Sequence, residues 1–396
     1  MEMIYLDNSA TTRQYDEVTE LIYKVSRESF GNPSSLHEAG FEAAKMIRAA
    51  RNQVSALLPS GGSVIFTSGG TESDNMALVS SASRLKRRGK KIITTAVEHP
   101  AVSETCKRLN QEGFDIEYID VDENGCLSAA VVSDALSDDV ILVSVMSVNN
   151  ETGAIFPVNE IADAVRKFNR EHGTEIIFHT DAVQAYGKID LTGSRADLIS
   201  ASAHKFHGPK GAGLLFMKDS IKIPAFITGG GQERGLRSST ENTTGIVGMG
   251  LAAEMSGKDI KGKLLSVSEV SEYLKNGIIS EIEDVSVNGP EDPGYTMSDA
   301  GKRCPAVLNL TFRGTRGEVL LHTLEQDGIY VSTGSACSSN HLGDSPVLKA
   351  MKLSPKEIEG ALRFSFSEFN TIGEMDVVID KVKTAVTRFR RLGSYQ

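Results

Sequence analysis

Cysteine is too sparse and too scattered in this chain to frame a fold. Cys106, Cys126, Cys304 and Cys337 are the only four among 396 residues. They form no C-x-x-C pair and no Cys/His cluster of zinc-ligand spacing, which argues against a disulfide scaffold and a structural metal site. Positive charge is also short. The 42 Lys and Arg residues against 52 Asp and Glu give a formal net charge of −10, so a generalised nucleic-acid surface is not expected. The basic run at 84–91 (RLKRRGKK) reads as the solvated end of a helix before a strand. No stretch approaches the roughly 18 consecutive apolar residues of a membrane span. The opening MEMIYLDNSATT has no apolar segment of signal-peptide length. These absences predict a soluble, cytoplasmic protein of a reducing compartment, without membrane or direct nucleic-acid partners and without metal.

What the chain does have is alternation. Short apolar runs at 63–67, 91–96, 115–119, 140–145, 175–179, 198–201 and 213–217 read as strands. Amphipathic stretches lie between many of them, one with Phe41, Ala44, Ile47, Val54 and Leu58 on one face, another with Ile161, Val165 and Phe168. The pattern predicts an α/β fold with a mostly parallel central sheet covered on both faces. After about residue 260 the texture changes. A helix over 264–279, a Gly/Pro-rich connection at 288–294, and strands at 306–312, 329–332 and 362–367 precede a helix over 374–392 whose acids open it and whose arginines close it. The expected division is a large domain over 16–260 and a smaller α+β domain built from 1–15 and 261–396.

Four polar clusters follow apolar strands: TSGGTESDN at 67–75, EHP at 98–100, SVNNETG at 147–153 and TDAVQ at 180–184. Ligands bind beyond the carboxyl ends of strands in parallel sheets, so four such clusters suggest one site. Gly69, Gly70 and Thr71 before a helix have the chemistry of a phosphate cradle, although Gly-Gly before a helix start is also common without a ligand. Asp181 ends an apolar strand, either as a helix cap or as a buried carboxylate that needs a cation. Lys205 sits between His204 and Phe206 in SASAHKFHGPKGAG (200–213), among small residues after a strand. A desolvated lysine beside other cations has a lowered pKa and can form a Schiff base. Cys337 lies in VSTGSACSSN (331–340) without large apolar neighbours on its C-terminal side, an odd place for a packing cysteine.

Together these motifs resemble the pyridoxal-phosphate enzymes of the class V aminotransferase fold, and more narrowly the cysteine desulfurases of the NifS/IscS type. The resemblance covers YLDNSATT at 5–12, FGNPSSLH at 30–37, FTSGGTESDN at 66–75, EHP at 98–100, VNNETG at 148–153, HTDAVQ at 179–184, SAHKFHGPKG at 202–211, GGGQERGLRSST at 229–240, STGSAC at 332–337 and RFSFS at 363–367. It implies pyridoxal 5′-phosphate on Lys205, with Asp181 at the pyridine nitrogen, Gln184 at the phenolic oxygen and His99 over the ring. Gly70, Thr71, Ser202 and His204 match phosphate contacts. Thr240 matches one that the family supplies from the other subunit of a homodimer. Asn150 and Arg363 match the residues that hold the substrate carboxylate.

Cys337 matches the nucleophile that takes sulfur from L-cysteine as a persulfide, leaving L-alanine. His99 is a candidate proton shuttle for that step. The sulfur would pass to an acceptor or scaffold protein for iron–sulfur cluster or other thio-cofactor synthesis. The alternatives are a selenocysteine lyase, another class V aminotransferase, or a non-catalytic scaffold. A carrier cysteine must visit the cofactor and then an acceptor, so residues 334–344 are expected to be mobile. Cys106, Cys126 and Cys304 read as structural or incidental, and His179 and His207 as packing residues.

Overall fold

The computed structural model describes residues 3–333 and 345–393. Its twelve strands are β1 (Ile4–Tyr5), β2 (Gly62–Thr67), β3 (Lys91–Thr95), β4 (Asp115–Ile119), β5 (Val140–Ser144), β6 (Ile177–Asp181), β7 (Leu198–Ser202), β8 (Gly213–Lys218), β9 (Val285–Val287), β10 (Val307–Phe312), β11 (Ile329–Tyr330) and β12 (Ala361–Ser365). Seven of them form one sheet in the order β2-β8-β7-β6-β5-β3-β4. The β4-β3-β5-β6-β7 pairings are all parallel, whereas β8 runs against both β7 and β2. Two reversals restore direction, so β2 points the same way as β7. The carboxyl ends of β2, β3, β5, β6 and β7 therefore share one edge.

The central strands read VILVS, IFHTD and LISAS, and every residue in them is buried. Burial on both faces is what a parallel strand under two helical layers requires. One layer is carried by the helix Gly70–Leu85, which lies close to the sheet because Ser73, Ala77, Ser80 and Ser81 are small and buried. Strand β6 begins two residues later than the sequence pattern suggests and runs through Asp181. The Asn169 side chain explains the late start: its Nδ2 donates to Ile176 O and its Oδ1 accepts from Ile176 N, each at 2.9 Å, which occupies that backbone before the ladder begins. Glu175 meanwhile faces Arg84 and Arg88 at the surface, pairing part of the basic run.

The C-terminal part is a three-stranded antiparallel sheet, β12-β10-β9. The helices Ile260–Glu281 and Ile372–Gly393 pack together against it; a Cβ on Gly277 would meet Ile379 Cδ1 at 2.3 Å, so glycine sets their approach. The idiosyncratic stretch at 300–305 is tied down by Arg303, a fully buried guanidinium that donates to Glu272, Ser271 and Val307 O. The N-terminus crosses to this part. Strand β1 pairs in parallel with β11, and Asp7 bridges to Ser365. Residues 8–12 then return to the large sheet, where Thr12 N donates to His204 O.

Candidate active site

A cleft of about 830 Å³ opens at the shared strand edge. Its wall includes Gly70 and Thr71 after β2, His99 after β3, Asn150 after β5, Asp181 and Gln184 at the end of β6, and Ser202, His204 and Lys205 after β7. Arg363 of β12 closes it from the C-terminal part. All four polar clusters thus meet where the strand directions placed them.

Local chemistry fixes each side chain. Gly70 opens the helix Gly70–Leu85, and a Cβ there would meet Val183 Cγ2 at 2.7 Å. The helix therefore brings its N–H groups to the cleft floor, a position that favours an anion. His99 is the N-cap of the helix Pro100–Gln111, its Nδ1 accepting from Ala101 N at 3.1 Å. That leaves Nε2 as the ring's remaining polar atom. Asn150 rides on a turn stapled by Asn149, whose Oδ1 accepts from Glu151 N and Thr152 N and whose Nδ2 donates to Val97 O. Lys205 ends the short turn Ala203–Lys205. Its Nζ donates to Ser9 O at 2.5 Å and Ala10 O at 2.8 Å. The YLDNSATT motif thus supplies the carbonyls that hold the lysine head, a contact the sequence carried as a motif without a role.

The floor is a patch of buried acids. Asp181 accepts from Val183 N at 2.8 Å, and burial together with the neighbouring Asp74 pushes its carboxyl up to about 7. Asp74, also raised to about 7 by burial, lies 3.5 Å from His179 Nε2, and its Oδ1 has no hydrogen-bond partner among the described residues. His179 is wedged between Ser144 Oγ at 2.9 Å and Ser200 Oγ at 3.0 Å, and burial lowers it to about 4. His179, kept uncharged by burial, is thus a packing group beside Asp74, as expected for the histidine. Glu98 accepts from Thr95 Oγ1 and Met146 N, and burial raises it to about 8. His99 and His204 are both lowered by burial, with the Lys205 charge pushing the same way.

Arg363 is almost fully buried. Its guanidinium donates to Asn150 O at 3.0 Å and to Asp7 Oδ1 at 2.8 Å, and its Nε has no hydrogen-bond partner among the described residues. Backbone bonds join Arg363 and Ser332 in both directions. Thirteen residues after Ser332, Ser345 Oγ donates to the buried Glu151 Oε2 at 2.5 Å. Asp7 and Glu151 are polar neighbours of the cleft that sequence reasoning passed over; their only signal was membership of YLDNSATT and VNNETG.

One expected site residue is not in the cleft, and another cannot be placed against it. Thr240 is exposed and lines a separate surface pocket with Thr67, Ser68, Arg237 and Ser239. Cys337, with the segment 334–344 expected to move, lies outside the described residues. Cys106 and Cys304 are buried, with burial raising both thiols, and Cys126 is half-buried. His37, which the motif FGNPSSLH left without a role, is the N-cap of the helix Glu38–Ser55.

The geometry has counterparts. Residues 4–378 match the family model described as aminotransferase class-V. A cysteine desulfurase IscS of Clostridium botulinum (strain Hall) is 42% identical over 394 residues, covering 99% of this chain and 96% of its own. A cysteine desulfurase of Trichormus azollae is 40% identical over 399 residues, covering 100% and 96%. Among solved structures, a NifS-like protein superposes with a TM-score of 0.87 at 36% identity, covering 98% of this chain and 100% of its own.

Proposed function

The chain belongs to the class-V aminotransferase family and to its cysteine desulfurases, and from that premise we propose how its own residues divide the reaction. The observation that carries the proposal is the cleft, which joins an amine, a buried acid, a neutral imidazole and a half-satisfied guanidinium within one wall. The residues fit pyridoxal 5′-phosphate. Asp181 is a buried carboxyl that accepts, among the described residues, from the backbone N–H of Val183, and a cationic ring nitrogen is the partner that would let it ionise. The Gly70 helix start, Thr71, Ser202 and His204 suit the phosphate end, and Gln184 the phenolic oxygen. When bound, the cofactor supplies a sink for the electron pair left at the substrate Cα.

Lys205 holds the cofactor and, once freed, moves the Cα proton. Arg363 and Asn150 orient the substrate carboxylate; the unpartnered Nε lets the planar fork take a second contact without giving up Asp7. His99, kept neutral by burial, can accept a proton at Nε2 from a thiol. Cys337 attacks as the thiolate. A sulfur–sulfur bond forms, the substrate carbon–sulfur bond breaks, and its electron pair stays on carbon to be protonated. L-Cysteine and a thiol become L-alanine and a persulfide, and no external oxidant is needed. The persulfide then serves an acceptor protein for iron–sulfur or other thio-cofactor synthesis in the cytoplasm.

A homodimer and the two-domain division belong to the same proposal. The exposed Thr240 fits a role in a partner's cleft rather than its own, and Tyr23, Phe30, Leu36 and Phe41 leave apolar side chains exposed on the N-terminal segment. Pairing of β1 with β11 supports grouping residues 1–15 with 261–396. The test is incubation with L-cysteine and reductant, scoring alanine and sulfide. Cys337→Ala should retain the cofactor absorbance and lose sulfide release. A variant that still releases sulfide at the parent rate would refute the assignment of the nucleophile, and a transaminase would not notice the change.

A further inference from the structure

Gln184 has neighbours that leave its amide one orientation. Its Nε2 donates to Ser9 O at 3.0 Å and its Oε1 accepts from Lys188 Nζ at 3.1 Å. A backbone carbonyl can only accept, and an ammonium can only donate. Both contacts therefore demand oxygen toward Lys188 and nitrogen toward Ser9. One amide N–H is spent on Ser9. The second is what Gln184, buried in the cleft wall, has left to offer a ligand.

Lys188 does not line the cleft. It lines a second cavity of about 470 Å³, which shares Lys205 with the cleft but not Gln184. Arg363 and Cys304 act on it from the C-terminal part, while Lys205, His207, Lys263 and Glu368 share its cavity. The Lys263–Glu368 pair, 2.8 Å apart, is self-neutralising, and burial keeps His207 uncharged. Burial, with Arg363 adding to it, lowers Lys188 to about 8, so it is still mostly charged at neutral pH. Such a cation, four residues from Gln184, is more than a solvated surface lysine needs.

We propose that Lys188 is a positioning residue of the cofactor site: it fixes and polarises the Gln184 amide, so that a strengthened N–H donor meets the phenolic oxygen of bound pyridoxal phosphate. The inference rests on reading the cleft as a pyridoxal phosphate site. A donor on that oxygen stabilises its negative form, and a cation behind the donor opposes adding a proton to the conjugated system. Both effects lower the pH at which the bound cofactor gains its proton, so losing Lys188 raises it.

The experiment titrates the visible absorbance of the pyridoxal phosphate-loaded full-length protein against pH for the parent, Lys188→Met and Lys188→Arg. Lys188→Met should move the midpoint up by about half to one pH unit, the size of one polarised hydrogen bond. Lys188→Arg, which keeps charge and donor, should recover most of that shift. An unmoved midpoint in Lys188→Met, or an equal shift in both variants, would overturn the inference. If Lys188→Met does not fold, Gln184→Ala and Gln184→Ala with Lys188→Arg serve instead. With the relay gone their midpoints should coincide above the parent's, and a Gln184→Ala midpoint equal to the parent's sinks the proposal. Failure of the site reading looks different: the parent would gain no visible absorbance with pyridoxal phosphate, or Lys205→Ala would leave it unchanged.

Discussion

Replacing Asp181 with Asn should make the cofactor-free protein less sensitive to rising pH while weakening its hold on the cofactor. The buried carboxyl is raised from 3.8 to about 7, with burial the larger cause and Asp74 the next. The folded chain therefore keeps a proton that the unfolded chain releases. Between these two values the folded state binds more protons, so stability falls as pH rises; above the upper value both states are ionised and the slope vanishes. A full proton changes stability by about 1.4 kcal/mol per pH unit, so two units between about pH 5 and pH 7 give a ceiling near 3 kcal/mol. Water entering the open cleft reduces this to about 2 kcal/mol. Asn retains an Oδ1 acceptor for Val183 N, so the turn stays capped.

The assay is urea unfolding of the cofactor-stripped parent and Asp181→Asn at about pH 5 and about pH 8. The parent should lose about 2 kcal/mol more than the variant between them. Asp74 and Glu98 titrate in both proteins, so the comparison reads Asp181 together with its interaction with these two carboxyls. Added pyridoxal phosphate should then stabilise the parent by its binding energy and the variant much less. Parallel pH dependence would mean that Asp181 is ionised in the empty fold, and the argument for a cationic ring beside it would lose its footing.

Arg363→Lys replaces a fork by a single ammonium. The Michaelis constant for L-cysteine should rise about 10- to 100-fold, with the cofactor spectrum unchanged, as read from steady-state kinetics on the desulfurase. Glu233→Ala strands Arg51. That arginine makes a two-pronged pair with Glu233 at 2.7 and 2.8 Å, and Glu233 also accepts from Phe66 N at 3.0 Å. With the Glu233 side chain 4% exposed, removal should cost about 3 kcal/mol in urea unfolding, whereas Glu233→Gln should cost less.

The apolar runs at 140–145 and 198–201 were legible because a strand buried on both faces is mostly apolar, and runs of four to six residues are too short for a helix. The clusters at 67–75, 98–100, 147–153 and 180–184 were legible as one site because they follow strands pointing one way. The reversal of β8 was invisible, since direction is a property of pairing rather than of GLLFMK itself. The late start of β6 was missed because Asn169 acts through a side-chain clamp at short range but outside any periodicity. Asp7, Glu151 and the Ser9 carbonyl escaped because their contacts join parts of the chain up to 356 residues apart.

Residue type and order therefore determined the chemistry of this protein: an amine that can condense, an acid at the end of a buried strand, a guanidinium, and a cysteine without apolar neighbours. Side-chain chemistry is local, and local motifs carry it. The tertiary structure decided the states of those groups. Asp181 has its carboxyl pushed up because the fold buries it beside Asp74. Lys205 is anchored because residues 8–12 return from the other end of the fold. Gln184 faces one way because Lys188 stands behind it. Burial and orientation are set by what packs against a residue, and no run of sequence contains its own neighbours.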